Sequence, residues 1–329
     1  MNEIITVSYS EMKRWRFCRQ AHNYNYVEGI IPRLKAKPLK LGSIVHQSIE
    51  AWAKTGNWEN ILKAVQKEYK GMFEEERELY GDIPGNTLRM VEGYLQRYKD
   101  ERKHYKLVEE TLGPIPLTKR TQFKMRIDRL TTTKAGLTLC ETKTARRLPE
   151  EDLRIWDLQT VLYVWALREL GYPVKAILWD YVRTKPPTEP LVLKNGTISQ
   201  RSDIDTDYET FYAAVKRTCP DRMDDYKEIL NRLKEEGTSR YYKRVLLPVN
   251  DQMIAPVLAD AKMTSLEIAS FSHLPVRNIS GYTCPRCFYS SLCHAALRGL
   301  DESFIREREY MKREEEIEYG GEEAEEAED

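Results

Sequence analysis

The sequence lacks any run of eighteen apolar residues, and its 329 residues contain no internal repeat. The first absence excludes an ordinary transmembrane helix, because about 20 apolar residues are needed to cross a bilayer. The second excludes a solenoid or a propeller, which stack similar units of fixed length. The N-terminal segment 1–6 also lacks the charged-then-apolar order of a signal peptide. We therefore expect a cytoplasmic protein that makes no contact with a membrane.

The sequence also has few cysteines, six in all. Thiols are kept reduced in the cytosol, so clustered cysteines there are more often metal ligands than disulfide partners. Cys140 and Cys219 lie apart from the others and are expected to be small core residues. Hydrophobic residues make up 41% of the chain, enough for a sizeable core. Because no linker is recognisable, residues 1–313 are predicted to form a single domain.

The net charge of zero conceals an uneven distribution. Residues 314–329 contain ten acidic residues and no Lys or Arg. Without them, 52 basic residues face 42 acidic ones, so the remainder of the chain carries a net charge of +10. A positive body favours a polyanionic partner. The tail 314–329 is predicted to be disordered, either for solubility or to compete with nucleic acid for the basic body.

Hydrophobic periodicity predicts an α/β protein. Apolar residues at helical spacing dominate from residue 10 to about 111, and a period of two appears between residues 106 and 144. The strands are predicted at 122–130, 137–144 and 174–182. The helices are predicted at 58–80, 87–101, 150–170, 207–218, 223–236 and 251–270. We expect one compact unit with helical additions.

Two of the predicted strands carry a group of charged residues. Glu141 and Lys143 are two apart and share one face of their strand, and a hairpin can bring Asp128 beside Glu141. Two adjacent carboxylates repel each other unless a cation lies between them, and Mg²⁺ prefers carboxylate oxygens. Such an ion activates a bound water and stabilises charge on a phosphate, while Lys143 can orient that water or neutralise the transition state. A single Glu-x-Lys is also typical of a surface salt bridge.

In the order His46, Asp128, Glu141-x-Lys143 and Gln159-x-x-x-Tyr163, the sequence resembles the PD-(D/E)xK nucleases of the RecB-like group. The resemblance implies a restriction-endonuclease-like core, with a central mixed sheet flanked by helices. It implies that His46, Asp128 and Glu141 bind Mg²⁺ or Mn²⁺ and that the Cys140 carbonyl is a further candidate ligand. It also implies that Asp128, Glu141 and Lys143 are catalytic, and that Gln159 and Tyr163 hold the DNA. One departure is Ile127, which stands where the family has proline.

Four cysteines form a second group. Cys284, Cys287 and Cys293 lie in a short stretch, and Cys18 is a distant fourth. Four thiolates can bind zinc or an iron–sulfur cluster. Because His294 adjoins Cys293, a zinc site made of cysteine and histidine is an alternative. The resemblance is greatest to family members with an iron–sulfur cluster, such as the AddB nuclease domain and the CRISPR-adaptation exonucleases. It implies that these cysteines hold a [4Fe–4S] cluster that joins the N- and C-terminal segments.

Basic and aromatic residues alternate in four segments, at 14–19, 119–124, 183–185 and 240–244. Such segments can neutralise phosphates and stack on unpaired bases, although each also fits a solvated face with aromatic core contacts. The resemblance places Arg183 near the active site as a substrate-binding residue.

The expected function is metal-dependent hydrolysis of DNA, most simply by an exonuclease acting on single strands or duplex ends. The resemblance suggests recombination, repair or phage DNA metabolism in a bacterial or phage-infected cell. A helicase, a recombinase or a single-strand-binding protein is a candidate partner. The alternative is a non-catalytic DNA-binding or scaffold protein with a structural iron–sulfur or zinc site.

Overall fold

The computed structural model describes residues 4–34, 37–149, 158–237, 240–272 and 274–313. The predicted acidic tail and the first part of the predicted helix 150–170 lie outside these ranges. The strands are β1 (Ile5–Val7), β2 (Ile30–Pro32), β3 (Tyr105–Pro116), β4 (Thr121–Thr133), β5 (Gly136–Ala145), β6 (Ala176–Arg183), β7 (Tyr242–Pro248) and β8 (Tyr310–Lys312).

Helices precede, interrupt and follow the strands. They are α1 (Tyr9–Phe17), α2 (Arg19–His22), α3 (Lys37–Thr55), α4 (Glu59–Gly71), α5 (Glu74–Tyr80), α6 (Ile83–Tyr98), α7 (Leu158–Glu169), α8 (Tyr208–Thr218), α9 (Lys227–Glu236), α10 (Asp251–Ser270), α11 (Ser290–Leu297) and α12 (Ser303–Glu309). Within the described ranges, none of these helices is both long and apolar enough to cross a membrane.

A mixed sheet forms the centre of the molecule. Its order is β1-β4-β5-β6-β7, with β3 on the other side of β4. The β3–β4, β4–β5 and β6–β7 pairs are antiparallel, whereas β1–β4 and β5–β6 are parallel. One face of the sheet packs against α7 and α10 in the main hydrophobic core, and α3 and α6 form a second core on the other face.

The long strand β4 changes its neighbour along one edge. Residues 121–123 pair with β1, and residues 129–133 pair with β5. Between these two stretches, β4 is paired only with β3 on its other side. The sheet therefore opens beside Asp128, at the end of the β4–β5 ladder.

The N- and C-terminal parts of the described chain meet in a separate small module. Strand β2 pairs antiparallel with β8, and both lie against a cluster around Tyr24, Tyr289 and Leu292. Trp15 of α1 also donates to Glu267 of α10, which fastens this module to the main body. The two ends of the sequence are thus joined by ordinary packing and hydrogen bonding.

The predicted α/β architecture is confirmed, with a central mixed sheet flanked by helices. The three predicted strands are present, each close to its expected bounds. The segment 240–244, interpreted either as a DNA contact or as a solvated face with aromatic core contacts, leads into β7, and its residues Tyr241 and Tyr242 are buried. The burial of both tyrosines favours aromatic core contacts as the interpretation of this segment.

Candidate metal centre

A change in strand alternation brings two carboxylates together. On β4, Ile127 and Leu130 both pack in the main core although they are three residues apart, so the alternation shifts between them. On β3, Leu107 and Leu112 pack on that core although they are five apart, and Glu109 between them has a φ of 49°. A positive φ is uncommon for a residue other than glycine and often marks a functional site. The β3–β4 register sets Glu109 opposite Asp128.

Helix α3 supplies a histidine to the same place. A Cβ atom at Gly42 would lie only 3.0 Å from Oγ1 of Thr144 on β5, so glycine permits this close approach of helix and strand. His46 lies one turn further along and therefore on the same side of the helix. Its Nδ1 is 3.4 Å from Oδ2 of Asp128.

Three residues from three elements converge at this point. Ligand atoms of His46, Glu109 and Asp128 all lie within 4.8 Å of one another. Imidazole nitrogen and carboxylate oxygens are ligands for divalent ions such as Mn²⁺, and a carboxylate-rich set also suits Mg²⁺. The residues present therefore fit a divalent cation.

The charges around this group are poorly balanced. Burial, followed by the nearby carboxylates of Asp128 and Glu50, raises the pKa of Glu109 to about 8, against the opposing effect of Arg126. Burial also lowers the pKa of His46, although Asp128 partly offsets this effect. A divalent cation would favour the ionised carboxylates and the neutral imidazole, which are the forms that bind metal.

Asp128 is held in place by a backbone donor. The amide of Thr142 donates to its Oδ2 over 2.6 Å. Arg126 borders the site and donates to Glu109 over 2.9 Å and to Glu50 over 3.5 Å. Glu50, which follows His46 by one helical turn, is thereby connected to the rim of the group.

The predicted Glu141 and Lys143 lie next to this group on β5. Nζ of Lys143 donates to Oε1 of Glu141 over 2.8 Å. The Glu141 side chain is only 4% exposed, whereas that of Lys143 is 30% exposed. The lysine can therefore reach a substrate from solvent, while the glutamate is fixed beneath it.

Gln159 and Tyr163 join this arrangement from α7. Nε2 of Gln159 lies 3.4 Å from Oε1 of Glu141 and donates to the hydroxyl of Tyr163 over 3.2 Å. The four-residue spacing places both side chains on one face of the helix. The sequence-predicted residues His46, Asp128, Glu141, Lys143, Gln159 and Tyr163 thus surround one region of the sheet.

Arg183 has a different environment. Its guanidinium forms two hydrogen bonds to Asp205, of 2.8 and 2.7 Å. Lys185 and the hydroxyl of Tyr241 also contact this carboxylate, each over 3.0 Å. Arg183 therefore fastens the segment that follows β6, and a role in binding substrate remains a prediction.

Three of the four clustered cysteines, Cys18, Cys287 and Cys293, pack in the small terminal module, and Cys284 lies three residues before Cys287. Cys18 ends α1, Cys287 follows a 3₁₀ turn at Cys284, and Cys293 lies in α11. Cys18, Cys287 and Cys293 pack on the cluster that contains Tyr24 and Tyr289, and none of the four forms a disulfide. The amide of Asn278 approaches the sulfur of Cys18 at 3.4 Å, and the pKa of Arg277 is raised by a hydrogen bond to Cys293. A guanidinium beside a cysteine favours the thiolate form of that cysteine, which is the form that binds metal.

Glu109 is the residue that the sequence did not reveal. It was not among the candidate ligands, since Glu109-Glu110 in an alternating stretch resembles an exposed strand edge. Its position depends on the β3–β4 register and on its own left-handed backbone. Glu141 was expected among the ligands and lies adjacent, in contact with Lys143 and Gln159.

Comparison with solved structures finds distant likenesses. An exonuclease candidate from Eubacterium rectale is 10% identical with a TM-score of 0.45, covering 87% of this chain and 88% of that one. A phage-related exonuclease from Haemophilus somnus is 10% identical with a TM-score of 0.26, covering 77% of this chain and 92% of that one. No curated protein matches the sequence.

A match to a protein family covers most of the chain. Residues 6–294 fit the sequence model of the PD-(D/E)XK nuclease superfamily. This span contains the mixed sheet apart from Ile5 of β1, the candidate metal-binding group and the four clustered cysteines. The protein therefore belongs to the PD-(D/E)XK nuclease superfamily.

Proposed function

We propose that the protein is a deoxyribonuclease that hydrolyses phosphodiester bonds with Mg²⁺ or Mn²⁺ and acts from the ends of DNA. The observation that carries this proposal is the convergence of His46, Glu109 and Asp128 within 4.8 Å, beside the Glu141–Lys143 pair. Superfamily membership makes nucleic acid the expected substrate. The net charge of +10 on residues 1–313 favours binding of a polyanion.

The residues divide into three roles in this proposal. His46, Glu109 and Asp128 hold the cation, with Glu141 as a further candidate ligand. When bound, the cation supplies a more acidic water and charge stabilisation at the phosphate. Lys143 presents its ammonium group to the phosphate or to the attacking water, held by Glu141. Gln159 and Tyr163 fix Glu141 from α7 and bind the adjacent strand.

The experiment is digestion of end-labelled linear DNA and of covalently closed circular DNA. Each substrate is incubated with Mg²⁺, Mn²⁺ or EDTA, using the wild type, Lys143→Ala and the control Lys63→Ala. Lys63 is an exposed lysine on α4, so its replacement removes the same charge elsewhere on the surface. We expect metal-dependent loss of linear DNA with the wild type and Lys63→Ala, and a loss of activity of at least about 100-fold with Lys143→Ala.

Other outcomes correct the proposal in defined ways. Cleavage of closed circles at the same rate as linear DNA indicates an endonuclease. Full activity of Lys143→Ala removes the lysine from the mechanism. No cleavage of either substrate by anaerobically purified protein favours a DNA-binding or scaffold role.

We also propose that Cys18, Cys284, Cys287 and Cys293 hold a [4Fe–4S] cluster. The support is that Cys18 packs on the same cluster as Cys287 and Cys293, although these residues come from opposite ends of the sequence, and that Asn278 and Arg277 place donors beside the sulfurs of Cys18 and Cys293. The cluster would have a structural role in joining α1 to the C-terminal segment. Iron and sulfide analysis with absorbance near 400 nm tests the assignment, and bound zinc without colour would replace it.

A further inference from the structure

A row of buried charges lies on the reverse face of the catalytic strand β5. Arg129 and Asp180 are 3% and 0% exposed, and Nη2 of Arg129 lies 3.1 Å from Oδ2 of Asp180. Arg244 contacts the same carboxylate oxygen over 2.9 Å and reaches Glu101 over 2.6 Å. The charges alternate along the row from Glu101 near the surface to Arg129, which directly follows Asp128 in sequence.

Buried ion pairs such as these contribute little net free energy to the stability of a core. Removing two charges from water costs several kcal/mol for each ion, and an apolar replacement of similar volume is often as stable or more stable. The row does, however, fix the direction of the Arg129 guanidinium, since Asp180 also accepts from the Tyr94 hydroxyl of α6. These contacts therefore hold the Arg129 guanidinium in one orientation.

Arg129 uses this fixed direction to hold β5. The same Nη2 donates to Oγ1 of Thr142 over 2.9 Å and contacts the sulfur of Cys140 at 3.1 Å. Both residues are buried on the face of β5 opposite to Glu141 and Lys143.

Thr142 connects this reverse face to the metal centre. Its hydroxyl accepts from Arg129, while its backbone amide donates to Asp128. The β4–β5 ladder ends at the Arg129–Cys140 pair, so no further ladder bond maintains the distance between Asp128 and residue 142. On its other edge Thr142 is held by the β5–β6 ladder, opposite Asp180, and on the side of β4 its position is supported by the contact between its hydroxyl and Arg129.

We propose that Arg129 and Thr142 are positioning residues that hold the Asp128 carboxylate in its metal-binding orientation, braced by Asp180 and Arg244. This inference rests on the proposed function, because it assumes that Asp128 binds a divalent cation. It assigns a role to the central residue of the Glu-Thr-Lys sequence, whose side chain faces away from the substrate.

The test is Thr142→Val, which removes the hydroxyl but keeps a β-branched side chain and the backbone amide. Thr142→Ser is the conservative variant that restores the hydroxyl. Thr138→Val is the matched control, since Thr138 lies on the same face of β5, is 0% exposed and directs its hydroxyl to Thr133 and Gly136 at the β4–β5 turn. Mn²⁺ binding is measured by calorimetry without DNA, and initial rates are measured across Mn²⁺ concentrations at saturating linear DNA.

We expect Thr142→Val to weaken Mn²⁺ binding at least fivefold and to raise the half-saturating Mn²⁺ concentration equally. Thr142→Ser and Thr138→Val should stay within twofold of the wild type. If Thr142→Val does not fold, the pair Thr142→Ala and Thr138→Ala repeats the comparison. Equal Mn²⁺ binding by the variants of both positions overturns the inference while leaving the nuclease proposal intact. A wild type that neither binds Mn²⁺ nor cleaves DNA overturns both.

Discussion

At the residue scale, Glu109 of the candidate metal centre combines an unfavourable backbone conformation with an environment that disfavours its charge. Its backbone is left-handed, and burial together with two nearby carboxylates raises its pKa to about 8. A residue with a strained backbone and a disfavoured charge persists only where the surrounding structure requires it. Binding a cation would offset the electrostatic part of this cost.

The first prediction concerns Glu109→Gln, which removes one carboxylate and keeps the size of the side chain. We expect the dissociation constant for Mn²⁺ to rise by about tenfold or more, since even outer-shell partners of metal ligands contribute 10- to 100-fold in affinity. The midpoint of thermal unfolding without metal at pH 7 should be little changed, because a carboxyl group with a pKa of about 8 is mostly protonated at that pH and is as uncharged as the amide that replaces it. Thermal unfolding with and without Mn²⁺ measures both effects.

The matched control for this prediction is Glu110→Gln on the same strand. Glu110 is exposed and does not belong to the metal-binding group. Its replacement should leave the Mn²⁺-dependent increase in the unfolding midpoint unchanged. Equal increases for both variants would show that Glu109 does not bind metal.

Residue types and spacing predicted much of this site but not all of it. Spacing within one element showed that Glu141 shares a face with Lys143, and Gln159 with Tyr163, whereas their proposed roles came from the family resemblance. Glu109 was not accessible, because no local pattern reports a strand register or a positive φ. Spacing along a sequence shows which side chains of one helix or strand share a face, but it does not show which side chains of different elements come together.

At the element scale, the segment between β6 and α8 depends on one carboxylate. Asp205 accepts from Arg183, Tyr241 and Lys185, and hydrogen bonds from Arg183 hold its pKa well below the usual range. Thr188 also donates to its carbonyl, which closes the segment. This carboxylate therefore fixes a long connection to β6 and β7.

The second prediction is that Asp205→Asn destabilises the protein by roughly 1–3 kcal/mol at pH 7, the usual range for hydrogen bonds to a charged group. Because the pKa of Asp205 is depressed in the folded state, its contribution is fully present above the unfolded pKa of about 3.9. The contribution is lost as pH falls further, towards the folded pKa. Urea unfolding at pH 7, 5 and 3 should show a constant difference from wild type at the first two values and a smaller one at pH 3.

Asp203→Asn is the control for this prediction. Asp203 is 66% exposed and pairs with Arg201 two residues away, an arrangement that contributes little. Its replacement should leave the urea midpoint unchanged at every pH. A similar loss in both variants would mean that charge in this segment matters and that the contact with Arg183 does not.

Sequence patterns predicted most of the long elements better than the short ones, although the 12-residue strand β3 was not among the predicted strands. Strands β4, β5 and β6 have enough alternating or apolar residues to show their period. Strands β1, β2 and β8 have three residues each and depend on distant partners for their hydrogen bonds. Strand β7 was missed because Tyr, Lys and Arg resemble a surface segment, although Arg244 is drawn inward by Asp180.

At the scale of the whole molecule, the terminal module connects residues from opposite ends of the sequence. A link between residues 18 and 284 would stabilise the fold by about 5 kcal/mol in the chain-entropy limit. The β2–β8 pair and the contact between Trp15 and Glu267 already restrict this loop, so the effect of the proposed cluster should be smaller.

The third prediction is that Cys287→Ala loses iron and absorbance near 400 nm and lowers the midpoint of thermal unfolding. Cys219→Ala is the control, because Cys219 is a buried cysteine in the separate core formed by α8 and α9. That variant should lose some stability through its cavity and keep its iron. A coloured, fully stable Cys287→Ala protein would contradict the cluster assignment.

The pairing of β2 with β8 has a consequence for biosynthesis. Ile30 reaches the ribosome exit long before Lys312, its partner in the pair. At about 5–20 residues per second, the wait is on the order of half a minute. The central sheet can form during this interval, but β2 cannot pair with β8 until residue 312 has emerged. Insertion of the proposed cluster is therefore expected to follow the synthesis of this C-terminal segment, so a chain truncated before β8 should acquire less iron.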